Sequence, residues 1–498
     1  MKIRILILVL LLSVSVLYAG TEFDKIKESI SEFTLENGLK FILIEDHSVP
    51  IASFVTYANV GASDERIGIY GISHFLEHLA FKGTSEIGTK NVKKEKAIFS
   101  KMAKIFSQIK DERGQIKPDK QKIEKLFKTL NDMKKEVSQY IVPNEFVTIL
   151  KKNGVVGLNA GTGCDSTSYY FSLPSNKLEL WAYLESSRFK DPVFREFFKE
   201  RQVIKEERRT TTENKPIGKC IEEFMSLAFK DQPYRQSVIG PMSNIDNISR
   251  QDVKDYFNKF YVAKNMTIGV AGDVTVKQLK EVAKKYFSKI PMGKKIGRGI
   301  TIDPPQSGEK RIVMYENSQP WLIFGYHCPS VLDKDFIKMQ LLKYVISDGR
   351  SSRLQKKLMI QNKSALYIGS FAGFPGDKYP CLYMIYTLAN RGHSNEELEK
   401  EILAEIEELK KKPISKEELL SAKTRMKVDL IRQYESDSSL LSEMLKFEMV
   451  TGSWKNCFSS FSDLEKISAK DLQEAVKKYM TVNSRIIVKI EKKKEVVK

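Results

Sequence analysis

The order Ile248-Ser249-x-x-Asp252, amphipathic helix, aromatic residue, asparagine, apolar strand (MTIGVAG) returns near the far end of the chain. There it runs from Ile467-Ser468-x-x-Asp471 to the strand RIIVKIE. A unit repeated once over so long a span is far outside the period of a solenoid and implies an internal duplication. With 498 residues the chain also exceeds what one core accommodates, so two homologous halves are expected. The Gly-, Pro- and Lys-rich stretch IPMGKKIGRGITIDPPQSGEK reads as the connection between them. The expected divisions are a leader over 1–19, a first half over 22–288, a linker over 289–309 and a second half over 310–498.

Local patterns fill in the first half. FTLENGLKFILIED places Asn37-Gly38 between alternating apolar runs, a hairpin signal. Further strands are expected in IASFVTYANV and in VVGLNAGTGCDSTSYYFSLP, and a helix-rich stretch over 178–208. Between these, the Lys-rich segment 93–142 has two runs of apolar residues at helical spacing, separated by Gly114 and Pro118, and reads as a helical hairpin inserted on the surface.

The opening MKIRILILVLLLSVSVLYAG has Lys2 and Arg4, an apolar run, then Ala19 and Gly20, the pattern of a secretory signal cut near Ala19. The expectation is export, periplasmic or secreted, with no membrane span in the mature chain; an uncleaved anchor is the alternative. The formal charge of +19 comes from lysines spread along the chain, without the concentrated basic face or stacking motif that nucleic-acid binding requires. Five widely spaced cysteines without C-x-x-C indicate neither a zinc finger nor a disulfide framework, and buried free thiols are expected.

The chemistry concentrates in GISHFLEHLAFKGT. Ile72, Phe75, Leu76, Leu79 and Ala80 form one apolar stripe at helical spacing, and His74, Glu77 and His78 project from the other side. Two imidazoles one turn apart can grip a single Zn²⁺ with positions left open, and the glutamate between them is placed to move a proton. A third ligand must come from elsewhere. In VFREFFKERQVIKEERR, expected to be helical over 193–209, Glu200 and Glu207 share a face and Glu206 points away, so spacing leaves both Glu200 and Glu207 open as ligands.

The segments H-F-L-E-H-L-A-F-K-G-T and E-R-x-V-I-x-E-E-R-R together resemble the two signatures of the inverzincin (M16) proteases of the pitrilysin and insulin-degrading type, in the branch of mitochondrial processing peptidase and its bacterial relatives. The resemblance implies an α+β fold of two homologous halves, each a mostly antiparallel β-sheet with helices packed on one face, with one Zn²⁺ per chain in the first half. It implies His74, His78 and Glu207 as metal ligands, Glu77 as the catalytic base, and Glu200 as a support behind the ligands. Asn159, Ala160 and Thr162 resemble the edge strand against which such proteases lay a peptide substrate, an addition that uses main-chain pairing.

Two departures accompany it. The separation from His78 to Glu207 is long, the inserted hairpin accounts for most of the excess, and a surface insertion is not expected to disturb the site. In the second half Tyr367 matches a substrate-contacting tyrosine, but the arginine expected seven residues earlier is replaced by Ile360. The resemblance therefore implies a zinc-bearing subunit of a two-chain peptidase, paired with a second M16-type chain in a heterodimer or a homodimer. The rival readings are a non-catalytic scaffold subunit and a zinc hydrolase of non-peptide esters or amides.

Overall fold

A computed structural model describes residues 28–493 apart from 295, 298 and 300. The signal segment over 1–19 lies outside the described residues. Among the described residues eleven strands form two sheets. The first contains β1 (Ile30–Thr34), β2 (Lys40–Glu45), β3 (Ile51–Ala58), β4 (Val156–Thr162), β5 (Thr167–Pro174) and β6 (Met266–Gly272), in the spatial order β1-β2-β6-β3-β5-β4. The second contains β7 (Lys310–Glu316), β8 (Trp321–Cys328), β9 (Ala365–Phe374), β10 (Cys381–Ala389) and β11 (Arg485–Lys492), in the order β7-β11-β8-β10-β9.

Apart from β1 the two orders coincide strand for strand. In each sheet the last strand of the half inserts beside the first, parallel to it (β6 with β2, β11 with β7), and every other neighbouring pair is antiparallel. Both β4 and β9 are edge strands.

Eight helices matter for the site and its support: α1 (Ile72–Leu79), α2 (Val92–Arg113), α3 (Lys120–Ser138), α4 (Phe197–Arg208), α5 (Pro216–Ala228), α6 (Arg250–Phe260), α7 (Asp437–Thr451) and α8 (Ala469–Tyr479). The duplicated helices α6 and α8 start with the same device. Ser249 accepts from the Asp252 amide while Asp252 accepts from the Ser249 amide, and Ser468 with Asp471 repeats the reciprocal pair.

Alternation along the strands divides the core. Phe41, Leu43, Ala52 and Phe54 face the helices of their own half, where Phe54 stacks on Trp181 at 4.3 Å between centroids. Ile42, Ile44, Val55 and Tyr57 point the other way, into Leu440, Leu441, Met444 and Leu445 of α7, which belongs to the second half. The reverse also holds: Cys220, Phe224 and Ala228 of α5, from the first half, are buried in the core of the second sheet. Two glycines let these helices approach: a Cβ on Gly269 would lie 2.5 Å from Leu441 Cδ1, and one on Gly325 would strike the Phe224 ring.

The connecting stretch is held at Asp303, which accepts from the amides of Lys230, Asp231 and Gln232. All five cysteines are buried thiols outside any disulfide. No helix among the described residues is long and apolar enough to cross a membrane.

One sequence expectation needs correction. The helix expected over 193–209 starts only at Phe197, because Phe194 and Glu196 adopt positive φ (50° and 53°). Between them Arg195 turns inward, 1% exposed, and its Nε meets Glu95 Oε2 of α2 at 2.8 Å. The helical hairpin expected over 93–142 is formed by α2 and α3, which besides that ion pair share a core in which Phe99, Met102, Phe106 and Val137 pack with Val193 and Phe198. The insertion is thus fastened to the base of the helix that carries Glu200 and Glu207.

Candidate metal centre

The start of α1 is set by Gly71 and Glu65. Gly71 takes φ 92°, and a Cβ there would collide with the Ile239 carbonyl, so only glycine fits. Its amide and that of Ser73, left without helical partners, donate to the two oxygens of Glu65 at 2.7 and 2.8 Å. Burial pushes the Glu65 carboxyl up to about 8, and these two amides pull it the other way. Ile72, Phe75, Leu76 and Leu79 are buried, and Phe75 stacks on Phe197 of α4 at 4.8 Å. The apolar stripe therefore locks α1 against α4 and fixes what the opposite face presents.

That face brings His74, His78 and Glu207 together, one ligand atom from each lying within 4.8 Å of the others. His74 Nε2 is 3.7 Å from Glu207 Oε1, and His78 Nε2 is 3.5 Å from Glu207 Oε2. Tetrahedral bonds of about 2.1 Å place neighbouring ligand atoms about 3.4 Å apart, so both spacings suit a zinc ion. Among the described residues this is the one cluster of three such groups, and it lies in the first half.

Glu200 stands behind the cluster. Its Oε2 is 3.4 Å from His78 Nδ1 and its Oε1 is 2.7 Å from Lys82 Nζ, an arrangement that turns His78 Nε2 toward Glu207. His74 lacks such a support, since its buried Nδ1 has no partner among the described residues.

Electrostatics separate the two imidazoles. Burial, with the charge of His78, holds His74 down at about 4. Burial opposes a proton on His78 too, but hydrogen bonds to Glu200 and Glu207 outweigh it and raise the group to about 9. Glu207 is lowered by its hydrogen bond to His78. Ligation requires neutral imidazoles, so the carboxylates that favour a proton on His78 set metal binding in competition with protonation there.

Glu77 lies alongside. Burial raises its carboxyl, and the Thr162 hydroxyl donates to its Oε2 at 2.7 Å. Thr162, read from sequence as a substrate contact, is in this structure a hydrogen-bond donor to Glu77. Asn159 and Ala160 precede it on β4, whose outer side is unpaired. Tyr367 lies on β9, the edge of the other sheet, 45% exposed, its hydroxyl 3.2 Å from that of Tyr386; Ile360 is 44% exposed.

Three residues with roles here were not singled out from sequence. Lys82 lay in plain view inside FKGT, but its contact crosses to α4. Glu65 and Arg195 carried no signal that distinguishes them from surface charges.

Comparison with known proteins decides the family. The profile for insulinase (peptidase family M16) matches residues 40–137, and that for the peptidase M16 inactive domain matches residues 247–426. The zinc protease PqqE of Helicobacter pylori is 30% identical over 418 residues, covering 82% of this chain and 80% of that one. The chain belongs to the M16 peptidase family. Within it, the beta subunit of the Saccharomyces cerevisiae mitochondrial-processing peptidase is 22% identical over 464 residues, covering 88% of this chain and 86% of its own. The crystal structure of a protease from Helicobacter pylori superposes with a TM-score of 0.76 at 25% identity, covering 93% of this chain and 99% of that one. The first half of the periplasmic protease PqqL from Escherichia coli has the same fold, with a TM-score of 0.69 at 16% identity, covering 93% and 92%. Membership, with relatives named as zinc proteases, supports a metal-dependent peptidase.

Proposed function

We propose that this chain is the zinc-bearing subunit of an exported endopeptidase that cleaves unfolded peptides. The observation that carries the reading is the convergence of His74, His78 and Glu207 beside a glutamate whose own carboxylate is held by a neighbouring strand. A single Zn²⁺ held by those three residues would supply Lewis-acid polarisation of the scissile carbonyl and a more acidic water.

The protein's own groups supply the rest. Glu77 takes a proton from the attacking water and returns it to the departing amine, and burial raises its carboxyl. The Thr162 hydroxyl fixes which way that carboxylate faces. The unpaired side of β4, through the main chain at Asn159 and Ala160, offers a ladder to an extended peptide with little demand on its side chains.

Tyr367 belongs to a sheet edge in the other half, and Ile360 carries no charge with which to hold a substrate carbonyl. This favours pairing with a second M16-type chain that brings the missing guanidinium. A scaffold role leaves the contact between Thr162 and Glu77 without a purpose, and a hydrolase of small esters leaves the open β4 edge without one.

The test is cleavage of a quenched fluorescent peptide, alongside metal content, for the chain alone and with a co-expressed M16-type partner lacking H-x-x-E-H. Glu77→Gln is expected to retain zinc and lose turnover. Turnover preserved in that variant refutes the assignment of the base, and full activity of a homodimer refutes the shared-site reading.

A further inference from the structure

A cavity of about 480 Å³ lies between the inserted helices and the start of α4. Its apolar part is built by Phe99, Met102 and Phe106 of α2, Val137 of α3, and Phe197 and Phe198 of α4. That volume falls in the range of pockets that enclose small organic molecules.

Lys110 and Lys199 on this wall pair with Asp252 and Glu196, but two other cations there, Arg250 and Lys134, make no ion pair among the described residues. Arg250 lays its guanidinium over Phe99, 4.5 Å from the ring centroid, and one of its nitrogens donates to the Val193 carbonyl. Its buried Nε has no acceptor among the described residues. Lys134 lies 5.1 Å from the centroid of Phe198 and donates to Asn131, an amide, with no carboxylate in ion-pairing reach among the described residues. Arg201, 4% exposed, stands behind Phe106, Phe197 and Phe198 with the Ile248 carbonyl as partner, and its Nε is also unsatisfied. Of the two carboxylates on the cavity wall, Glu196 is taken by Lys199 and Lys82, and Asp111 is exposed to solvent.

An anionic head beside Arg250 and Lys134 would supply the charge these two lack, and an apolar body suits the phenyl rings. We infer that this cavity binds a small amphipathic carboxylate, with its hydrocarbon chain against the phenyl rings and its head toward Arg250 and Lys134. The binding inference stands on the cavity alone and not on the peptidase reading. Because Phe197 lines the cavity and also stacks on Phe75 of α1, an occupant shares a wall with the helix that carries His74 and His78.

Isothermal titration of the full chain with dodecanoate, dodecan-1-ol and dodecyltrimethylammonium, each below its micelle threshold, tests this. Dodecanoate is expected to bind saturably and one to one, the alcohol roughly tenfold more weakly, and the cation not at all. Ala103→Trp and Ser138→Trp plug the cavity from opposite helices, and each is expected to abolish binding in a chain that circular dichroism shows to be folded. Arg250→Gln is expected to weaken dodecanoate roughly tenfold. The inference is overturned by the absence of saturable binding, by equal affinity for acid and alcohol, or by dodecanoate binding that survives in either folded plug variant. Should both plugs fail to fold, the three-ligand series on the unmodified chain decides it.

Discussion

The Lys82 ammonium stands 2.7 Å from Glu200 Oε1, on the side of that carboxylate away from His78. Lys82 thereby holds Glu200 in the ionised form that His78 needs behind it; burial opposes that charge, but His78 and Lys82 keep the Glu200 carboxyl below its ordinary range. Glu200→Gln is expected to weaken zinc binding about 10- to 100-fold, and Lys82→Met to weaken it by less. Competition against a calibrated chelator measures both. Unchanged affinity in Glu200→Gln would show that the carboxylate does not orient the ligand.

Thr162→Val keeps the shape of the strand and removes the hydroxyl that donates to Glu77. A single hydrogen bond to a charged group supports an expectation of about tenfold lower kcat, with KM and zinc content unchanged. A variant that loses its metal, or loses substrate affinity at constant kcat, would assign Thr162 a different role.

His327, on β8 against Phe229, is held down at about 4 by burial and then by the charge of Lys310. Its folded value lies below its unfolded one, so it stabilises the fold above the unfolded value of about 6.5 and loses that contribution as pH falls toward 4. Between pH 7 and 5 the loss is roughly 2 kcal/mol. Denaturant melts at the two pH values, compared with those of His327→Phe, isolate this contribution: the variant's pH dependence should be flatter by that amount.

Leu441→Ala empties the contact that α7 makes with Gly269 across the halves. The expected cost is about 2–5 kcal/mol, as for other buried leucines. Because α7 roofs a sheet that is not its own, the loss should appear as one lowered transition covering both halves. Two separated transitions, with the first half unaffected, would count against the packing described.

Much of this was legible in the chain itself. The duplication showed because the capping residues Ser249 and Asp252 recur as Ser468 and Asp471 ahead of equivalent strands, and local hydrogen bonding demands those side chains at those places. The metal helix showed because its apolar stripe and its polar face are both periodic. Spacing could not choose between Glu200 and Glu207, since both lie on one face. The structure puts Glu207 opposite both Nε2 atoms and Glu200 behind one ring, a difference of reach and not of periodicity.

The start of α4 was misread for a related reason. Phenylalanine and glutamate rarely take positive φ, and what holds Phe194 and Glu196 there is the buried pair of Arg195 with Glu95, distant in the chain. The exchange of helices was illegible for a third reason: an apolar face announces that it will be buried but not which sheet will bury it.

That exchange says something about descent. Each half lends a helix at the same point of its chain order, α5 to the second sheet and α7 to the first, and each sheet relies on the loan. This is the contact pattern expected of a swapped homodimer whose two copies have been joined in one chain. The second half, which among the described residues has no cluster of three ligand groups, is therefore part of the support of the first. Removing it would strip the roof from the first sheet, whose other face packs against the helix that carries His74 and His78.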